Sequence, residues 1–286
     1  MPDTDTRLFR LSDPNDPRRV IRGRIDAPRG FEEASEPLPH VIVLHGFKGF
    51  MDWGFFPELS RRIAARGMVA VRFNMSGSGI GEDLQSFTEL DAFAQNTYSR
   101  ELEDLERVRA WIDSGSVRGL DARRAALLGH SRGGGVALLH AAERADCGSI
   151  VTWAAIPSVD PFDEATKENW RKLGFLIIHN ARTHQDLKID VGALDDIEKN
   201  RTRFDIIAAC RRLEAPALLV HGSADETVPV DAVRRLYAAL EPQRSRMLII
   251  EGASHTFGAV HPMQSVPEAF DRITAATIDM IEEHWA

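Results

Sequence analysis

The stretch Gly129-His130-Ser131-Arg132-Gly133 places a serine between two glycines. It follows the apolar run Ala125-Ala126-Leu127-Leu128 and opens the segment Gly134-Gly135-Val136-Ala137-Leu138-Leu139-His140-Ala141-Ala142. G-x-S-x-G between a buried strand and an apolar helix predicts a nucleophile elbow, a tight turn that lifts the serine hydroxyl clear of the sheet. Side chains at the glycines would clash as the backbone doubles back, or would forbid the strained dihedrals at Ser131. The plainer reading is a Gly/Ser turn that only starts a helix. A serine hydroxyl is a poor nucleophile near neutral pH, so the chemical reading requires a base and an acid that orients it.

Both have candidates at the ends of later apolar runs. Ala217-Leu218-Leu219-Val220 leads into His221-Gly222-Ser223-Ala224-Asp225-Glu226-Thr227-Val228-Pro229, and Met247-Leu248-Ile249-Ile250 leads into Glu251-Gly252-Ala253-Ser254-His255-Thr256-Phe257. Asp225 and His255 are thus expected at carboxyl ends of strands, where open α/β sheets form a crevice, and the order Ser, Asp, His is that of an elbow serine and its partners. Taken singly, Asp225 reads as a helix cap or turn residue and His255 as a satisfied loop histidine. Glu226 competes with Asp225, and His261 with His255, although His261 lies further from its strand and precedes Pro262. An oxyanion needs two backbone N–H donors. One is expected at Arg132, the residue after the serine. The other is expected at Phe47 in His45-Gly46-Phe47-Lys48-Gly49, where Gly46 permits close approach. His45 and His221 read as structural.

The elements that must position these residues alternate in type. Leu8–Leu11 and Val20–Ile25 predict a hairpin about the turn-rich Asp13-Pro14-Asn15-Asp16-Pro17, and Ala27 to Pro39 reads as a loop. Strands are expected at Val41–Leu44, Met68–Phe73, Ala125–Leu128, Ser149–Ala154, Ala217–Val220 and Met247–Ile250. Helices are expected near Pro57–Arg66, Asn96–Asp113, Gly134–Ala142, Val230–Leu240 and Pro267–His284. In the second of these, Leu102, Leu105, Val108, Ala110 and Trp111 share a face, and Glu101-Leu102-Glu103-Asp104-Leu105-Glu106 reads as its wet side. The alternation predicts an α/β fold with a mostly parallel, doubly wound sheet. It breaks once: roughly fifty residues, Pro157 to Leu213, separate the sixth core strand from the seventh, and a crossover of that size carries an insertion. Within it we expect helices at Phe162–Lys172, Val191–Asn200 and Phe204–Arg212, and a hairpin of Phe175–Ile178 with Asp186–Ile189. The division is 1–156 core, 157–213 insertion, 214–286 core.

A net charge of −8 over 286 residues argues against nucleic acid and against an anionic membrane surface as partners. No run is long enough for a membrane span, and Met1-Pro2-Asp3-Thr4-Asp5-Thr6 has neither a basic nor an apolar leader segment. Cys147 and Cys210 lack metal-like spacing and read as reduced thiols, so the expected compartment is the cytoplasm. Asp195-Asp196 has no companion ligands, and no metal is expected.

On the elbow, the His45-Gly46-Phe47 loop, the His221–Pro229 segment and Gly252-Ala253-Ser254-His255, the sequence resembles the α/β-hydrolase superfamily from Val41 onward. Within it the chain is similar to bacterial cinnamoyl/feruloyl-esterase-type and serine aminopeptidase-like hydrolases. The resemblance implies the α/β-hydrolase fold with a cap inserted between the sixth and seventh core strands. It also implies hydrolysis of an ester or acyl bond by a Ser131–His255–Asp225 triad, without a cofactor. A small-molecule ester is the implied partner, and monomer and homodimer both stay open. The elbow departs from the common pattern by carrying Arg132 after the serine, and the first loop lacks the repeated glycines of HGGG-type lipases. In a cap, Trp170, Asn180, Arg182, His184 and Gln185 are the residues expected to meet substrate; the alternative is a solvated hairpin with Trp170 in the cap's own core. Aminopeptidase or amidase activity, with Asp160, Asp163 or Glu164 holding an amine, thioesterase or dienelactone-hydrolase activity, and a non-catalytic binding protein on the same fold are the remaining readings.

Overall fold

A computed structural model describes residues 4–144 and 146–285. Met1, Pro2 and Asp3 of the amino-terminal stretch lie outside the described residues, as does Ala286. In chain order the strands are β1 (Thr4–Ser12), β2 (Val20–Pro28), β3 (Leu38–Leu44), β4 (Val69–Asn74), β5 (Leu120–His130), β6 (Ser149–Trp153), β7 (Phe175–Asn180), β8 (Gln185–Asp190), β9 (Ala217–Gly222) and β10 (Ser245–Ile250). Eight of them form one sheet in the order β1-β2-β4-β3-β5-β6-β9-β10. All neighbours from β4 to β10 pair in parallel, and the β1–β2 hairpin joins antiparallel through β2 on β4.

Helices cover both faces: α1 (Phe56–Ala65), α2 (Leu90–Ala94), α3 (Tyr98–Asp113), α4 (Arg132–Glu143), α5 (Glu164–Leu173), α6 (Gly192–Lys199), α7 (Ile206–Arg211), α8 (Asp231–Tyr237) and α9 (Glu268–Glu283). The central strands β3 and β9 and the second half of β5 are largely apolar because each face of the sheet needs its own lining. Ile42, Leu44, Leu127 and Leu219 pack towards α3, α4, α7 and α8. Their neighbours Val41, Val43, Leu128 and Val220 pack on the opposite face towards α1 and α9. With six parallel strands ending on the same side, the loops after β3, β5, β9 and β10 gather along one rim.

The chain between β6 and β9 contains α5, the antiparallel β7–β8 hairpin, α6 and α7. Asp163 caps α5 by accepting from Thr166 N–H at 2.7 Å, and Gly174 at φ 79° ends it. Asp205 caps α7 from Ala208 N–H at 2.9 Å. Trp170, Leu187, Ile189 and Leu194 from this segment build a third apolar cluster against Phe87 and Phe93. Asp196 ties α6 to the start of α3, accepting from Ser99 N–H at 3.0 Å and Ser99 Oγ at 2.5 Å. No helix among the described residues is long and apolar enough to cross a membrane.

Four details differ from the sequence reading. The first strand begins at Thr4 and not at Leu8; as a largely exposed edge strand it has little apolar alternation to read. The region before α3 contains the five-residue α2, too short for a periodic signal. On α3 the buried stripe runs through Leu102, Leu105, Val108 and Ile112, while Ala110 faces solvent. The supposed wet side is also divided. Glu103 and Glu106 are exposed, but Glu101 and Asp104 are buried because each has partners: Arg132 and Asn96 for Glu101, and Ser76 N–H and Arg19 for Asp104.

Candidate active site

β5 runs directly into Ser131, which stands at φ 56°, ψ −120° ahead of α4. A non-glycine residue there costs about 1–3 kcal/mol and persists only where the surroundings over-determine it. The surroundings are tight. A Cβ at Gly129 would meet the Gly133 carbonyl oxygen at 2.3 Å, and one at Gly133 would meet the His45 carbonyl oxygen at 2.5 Å. Ser131 N–H donates to the Trp153 carbonyl at 2.8 Å, and Gly134 N–H donates to the Ser131 carbonyl at 3.0 Å. The backbone is therefore clamped on both sides of the hydroxyl.

The loop after β9 holds Asp225, whose side chain is wholly buried. Its Oδ1 accepts from Thr227 N–H at 2.8 Å and Val228 N–H at 2.9 Å. Its Oδ2 accepts from His255 Nδ1 at 2.8 Å and lies 3.2 Å from His221 Nε2. Burial alone would raise the Asp225 pKa. Hydrogen bonds from His221, His255 and Val228 more than offset this and hold the carboxyl well below the usual carboxylate range. His255 Nδ1 therefore carries the proton, which leaves Nε2 as the basic nitrogen. His221 Nε2 also lies 2.8 Å from the Val228 carbonyl. With acceptors on both sides, Nε2 is its protonated nitrogen, and the ring ties Asp225 to the end of its own loop.

Two further histidines shape the site: His130, which the sequence reading assigned no role, and His45, which it read as structural. His130 Nε2 lies 3.0 Å from the His255 carbonyl and donates to it, and the two rings are 4.7 Å apart. Burial, with repulsion from His255, lowers the His130 pKa to about 3, so it is a neutral support for the His255 loop. After β3, His45 accepts from Met75 N–H through Nε2 at 3.3 Å, so Nδ1 bears the proton and donates to the Gly46 carbonyl at 2.9 Å. Gly49 N–H donates to the same carbonyl at 3.0 Å. In a planar trans peptide the N–H points opposite to the C=O, so these two bonds fix the direction of Phe47 N–H. A Cβ at Gly46 would sit 2.9 Å from Ser131 Cβ, which explains glycine there.

Arg132 is the first residue of α4, where backbone N–H groups have no intrahelical acceptor. Its side chain does not leave a free charge. It donates to Glu101 at 3.0 Å and lies over the Tyr98 ring at 3.9 Å, while Glu101 is held in turn by Asn96 at 2.6 Å.

Ser131 separates two cavities. One, of about 450 Å³, is walled by Phe47, Tyr98, Ile156, Trp170, Ile189 and Ile197, among others, and is largely apolar. The other, of about 420 Å³, contains His130, His255, His261, Lys48, Asn180 and Arg182. Among the described residues, no aspartate or glutamate lines either cavity.

The structure brings Ser131 and His255 to one cavity and hydrogen-bonds His255 to Asp225; Phe47 and Arg132 line the apolar cavity beside Ser131. Glu226 does not share these bonds, and His261 Nδ1 accepts from Gly54 N–H at 3.0 Å. Trp170 is buried in the inserted segment, donating to the Ile189 carbonyl at 3.1 Å, and also walls the apolar cavity. Asn180 and Arg182 line the second cavity. Gln185 and His184 line neither: Gln185 donates to the Phe87 carbonyl at 3.3 Å, anchoring the hairpin, and His184 is an exposed turn residue at φ 54°. Asp160 and Glu164 pair with Lys167, and Asp163 caps α5, so none of the three faces Ser131.

Comparison with known proteins places the chain in a family. A family profile described as "Alpha/beta hydrolase family" matches residues 41–273. No curated protein matches the chain in sequence. Among solved structures, ferulic acid-bound Est1E from Butyrivibrio proteoclasticus superposes with a TM-score of 0.70 at 19% identity, over 93% of this chain and 95% of that one. The alpha/beta hydrolase GrgF from Penicillium sp. sh18 gives 0.74 at 15% identity over 98% and 99%. A putative hydrolase from Agrobacterium vitis S4 gives 0.73 at 21% identity, also over 98% and 99%. The likeness in fold spans at least 93% of this chain in each case, and the profile covers every strand from β3 to β10 apart from the first residues of β3. The chain belongs to the alpha/beta hydrolase family.

Proposed function

We propose that the protein is a serine hydrolase that cleaves carboxylic esters through an acyl-enzyme on Ser131. The observation that carries this reading is the buried Asp225–His255 hydrogen bond at 2.8 Å, with His255 and the strained Ser131 on the wall of one cavity. Asp225 holds the proton on His255 Nδ1, so Nε2 accepts the proton of Ser131 Oγ as the oxygen attacks the acyl carbon. The oxygen of the tetrahedral intermediate takes hydrogen bonds from Phe47 N–H and Arg132 N–H, helped by the amino-terminal end of α4. As the intermediate collapses, the C–O bond breaks and His255 returns the proton to the leaving alcohol. Water then attacks the acyl-enzyme with His255 as base, which regenerates the Ser131 hydroxyl and releases the acid.

Direction of binding follows from the proton path. The leaving oxygen must lie within hydrogen-bond reach of His255, so the alcohol occupies the cavity that contains His255, and the acyl chain occupies the apolar cavity on the other side of Ser131. Segment 157–213 acts as a cap: Phe162, Trp170, Ile189 and Ile197 from it wall the acyl cavity and exclude water. Among the described residues no acidic side chain lines either cavity, which favours an ester over a substrate bearing a free amine. Wild type and Ser131→Ala assayed on p-nitrophenyl esters test the reading: turnover by the wild type and its loss in the variant is expected, and equal turnover overturns it.

A further inference from the structure

The second cavity combines an apolar wall, which includes Phe47, Trp53, Phe56 and Val260, with a group of hydrogen-bond donors and positive charge. Lys48 and Arg182 stand at its rim, and neither has an aspartate or glutamate partner among the described residues. The Lys48 ammonium reaches only the His179 carbonyl, at 3.3 Å. The Arg182 guanidinium lies 5.1 Å from the centre of the Phe50 ring and 5.5 Å from that of Phe87, which orient it without neutralising it. Asn180, only 4% exposed, lines the same cavity. Its Oδ1 accepts from Arg182 N–H at 3.3 Å, which fixes the amide, and its buried Nδ2 has no partner among the described residues. A buried N–H left unpaired costs free energy that a bound acceptor recovers. Arg132, one residue from Ser131, shows the contrast, since its charge is answered by Glu101.

The surroundings accentuate the arrangement. The protein carries a net charge of −8, yet no carboxylate among the described residues lines this cavity. Burial lowers the pKa of both Lys48 and Arg182 with no neighbouring charge raising it, and the Arg182 charge joins burial in lowering that of His261 on the same wall.

We propose that Lys48, Asn180 and Arg182 form an anion-binding subsite for the leaving group, so that the preferred substrates are esters joining a bulky apolar acid to an alcohol that bears a carboxylate or another anionic group. This rests on the esterase reading above, since the leaving alcohol is assigned to this cavity by its need for the His255 proton. The subsite is made before the reaction and is unchanged by it, so its contribution belongs to ground-state binding and appears in KM.

The test uses 3-carboxyphenyl hexanoate beside 3-carbamoylphenyl hexanoate, similar in size and differing in charge, with rates corrected for their uncatalysed hydrolysis. The wild type is expected to favour the carboxylate by about ten-fold in kcat/KM, the scale of one charge-assisted contact. The preference should lie in KM and shrink as salt is raised. Arg182→Gln and Lys48→Gln should each reduce the ratio, and the double variant should bring it to about one; melting curves report whether the variants fold. Equal handling of the two esters, preference for the neutral one, or a preference that neither salt nor the substitutions reduce overturns the subsite while leaving the esterase reading intact. Hydrolysis of neither ester overturns both. The salt dependence is read on the wild type and needs no variant.

Discussion

Ser131 is held at φ 56°, so its replacements separate chemistry from conformation. Ser131→Ala and Ser131→Gly are both expected to lose ester hydrolysis by roughly 10⁴-fold or more, as for loss of a serine nucleophile. The glycine variant should be the more stable of the two by about 1 kcal/mol in urea unfolding, because only glycine adopts this backbone without strain. Equal or reversed stabilities would contradict a strained elbow. Asp225 gives a prediction in pH. Its pKa is depressed in the fold, so its contribution is fully present above the unfolded-chain value near ~4 and fades as pH falls towards the folded value. The stability gap between wild type and Asp225→Asn should therefore be wide at pH 7 and narrower at pH 3; a constant gap would contradict the assignment. The candidates Ser131, Asp225 and His255 were legible because each follows an apolar run in a recognisable order. The work of His45, His130 and His221 was not, since each acts through bonds to loop backbone or carboxylate that spacing does not encode. Gln185 was singled out by polarity alone, and its bond to the Phe87 carbonyl turns it away from both cavities.

The helix α3 shows what an element-level pattern conceals. Its acidic run looks solvated, yet Glu101 turns inward to Arg132 on α4 and thereby couples α3 to the elbow helix. Glu101→Leu would leave a guanidinium buried without a counter-charge, and a loss of about 3 kcal/mol is expected in chemical denaturation. Glu103→Gln, on the exposed side and paired only with Arg19 at the surface, should change stability by no more than about 0.5 kcal/mol. Similar losses in both would mean that the Glu101–Arg132 pair is not the buried contact described. Element types were readable wherever burial imposes a long pattern, as in β3, β5, β9, α3 and α9. They were not readable for the short α2, nor for the first half of β1, where the pattern set by burial is absent. The β7–β8 hairpin was legible even inside the insertion, with Ile178 paired to Leu187 across it, because both its runs have strand-like composition.

At the scale of the molecule, six parallel strands bring the candidate residues to one rim, and the segment between β6 and β9 packs its third apolar cluster over them. Two cavities of unlike character result, and their contrast was not visible in the sequence because each is assembled from residues far apart in the chain. In the proposed reaction the apolar one receives the acyl group. Activity on p-nitrophenyl esters should rise with acyl length until about 450 Å³ is filled. Ala193→Phe, which narrows that cavity, should move the optimum to shorter chains; an unmoved optimum would show that the acyl group lies elsewhere. The central claim, an activated serine at the elbow, is tested most directly by reaction with a fluorophosphonate followed by peptide mass spectrometry. The account predicts a single adduct on the peptide containing Ser131, absent in Ser131→Ala and formed much more slowly in Asp225→Asn. No adduct on the folded wild type, or an adduct that survives in Ser131→Ala, would contradict it.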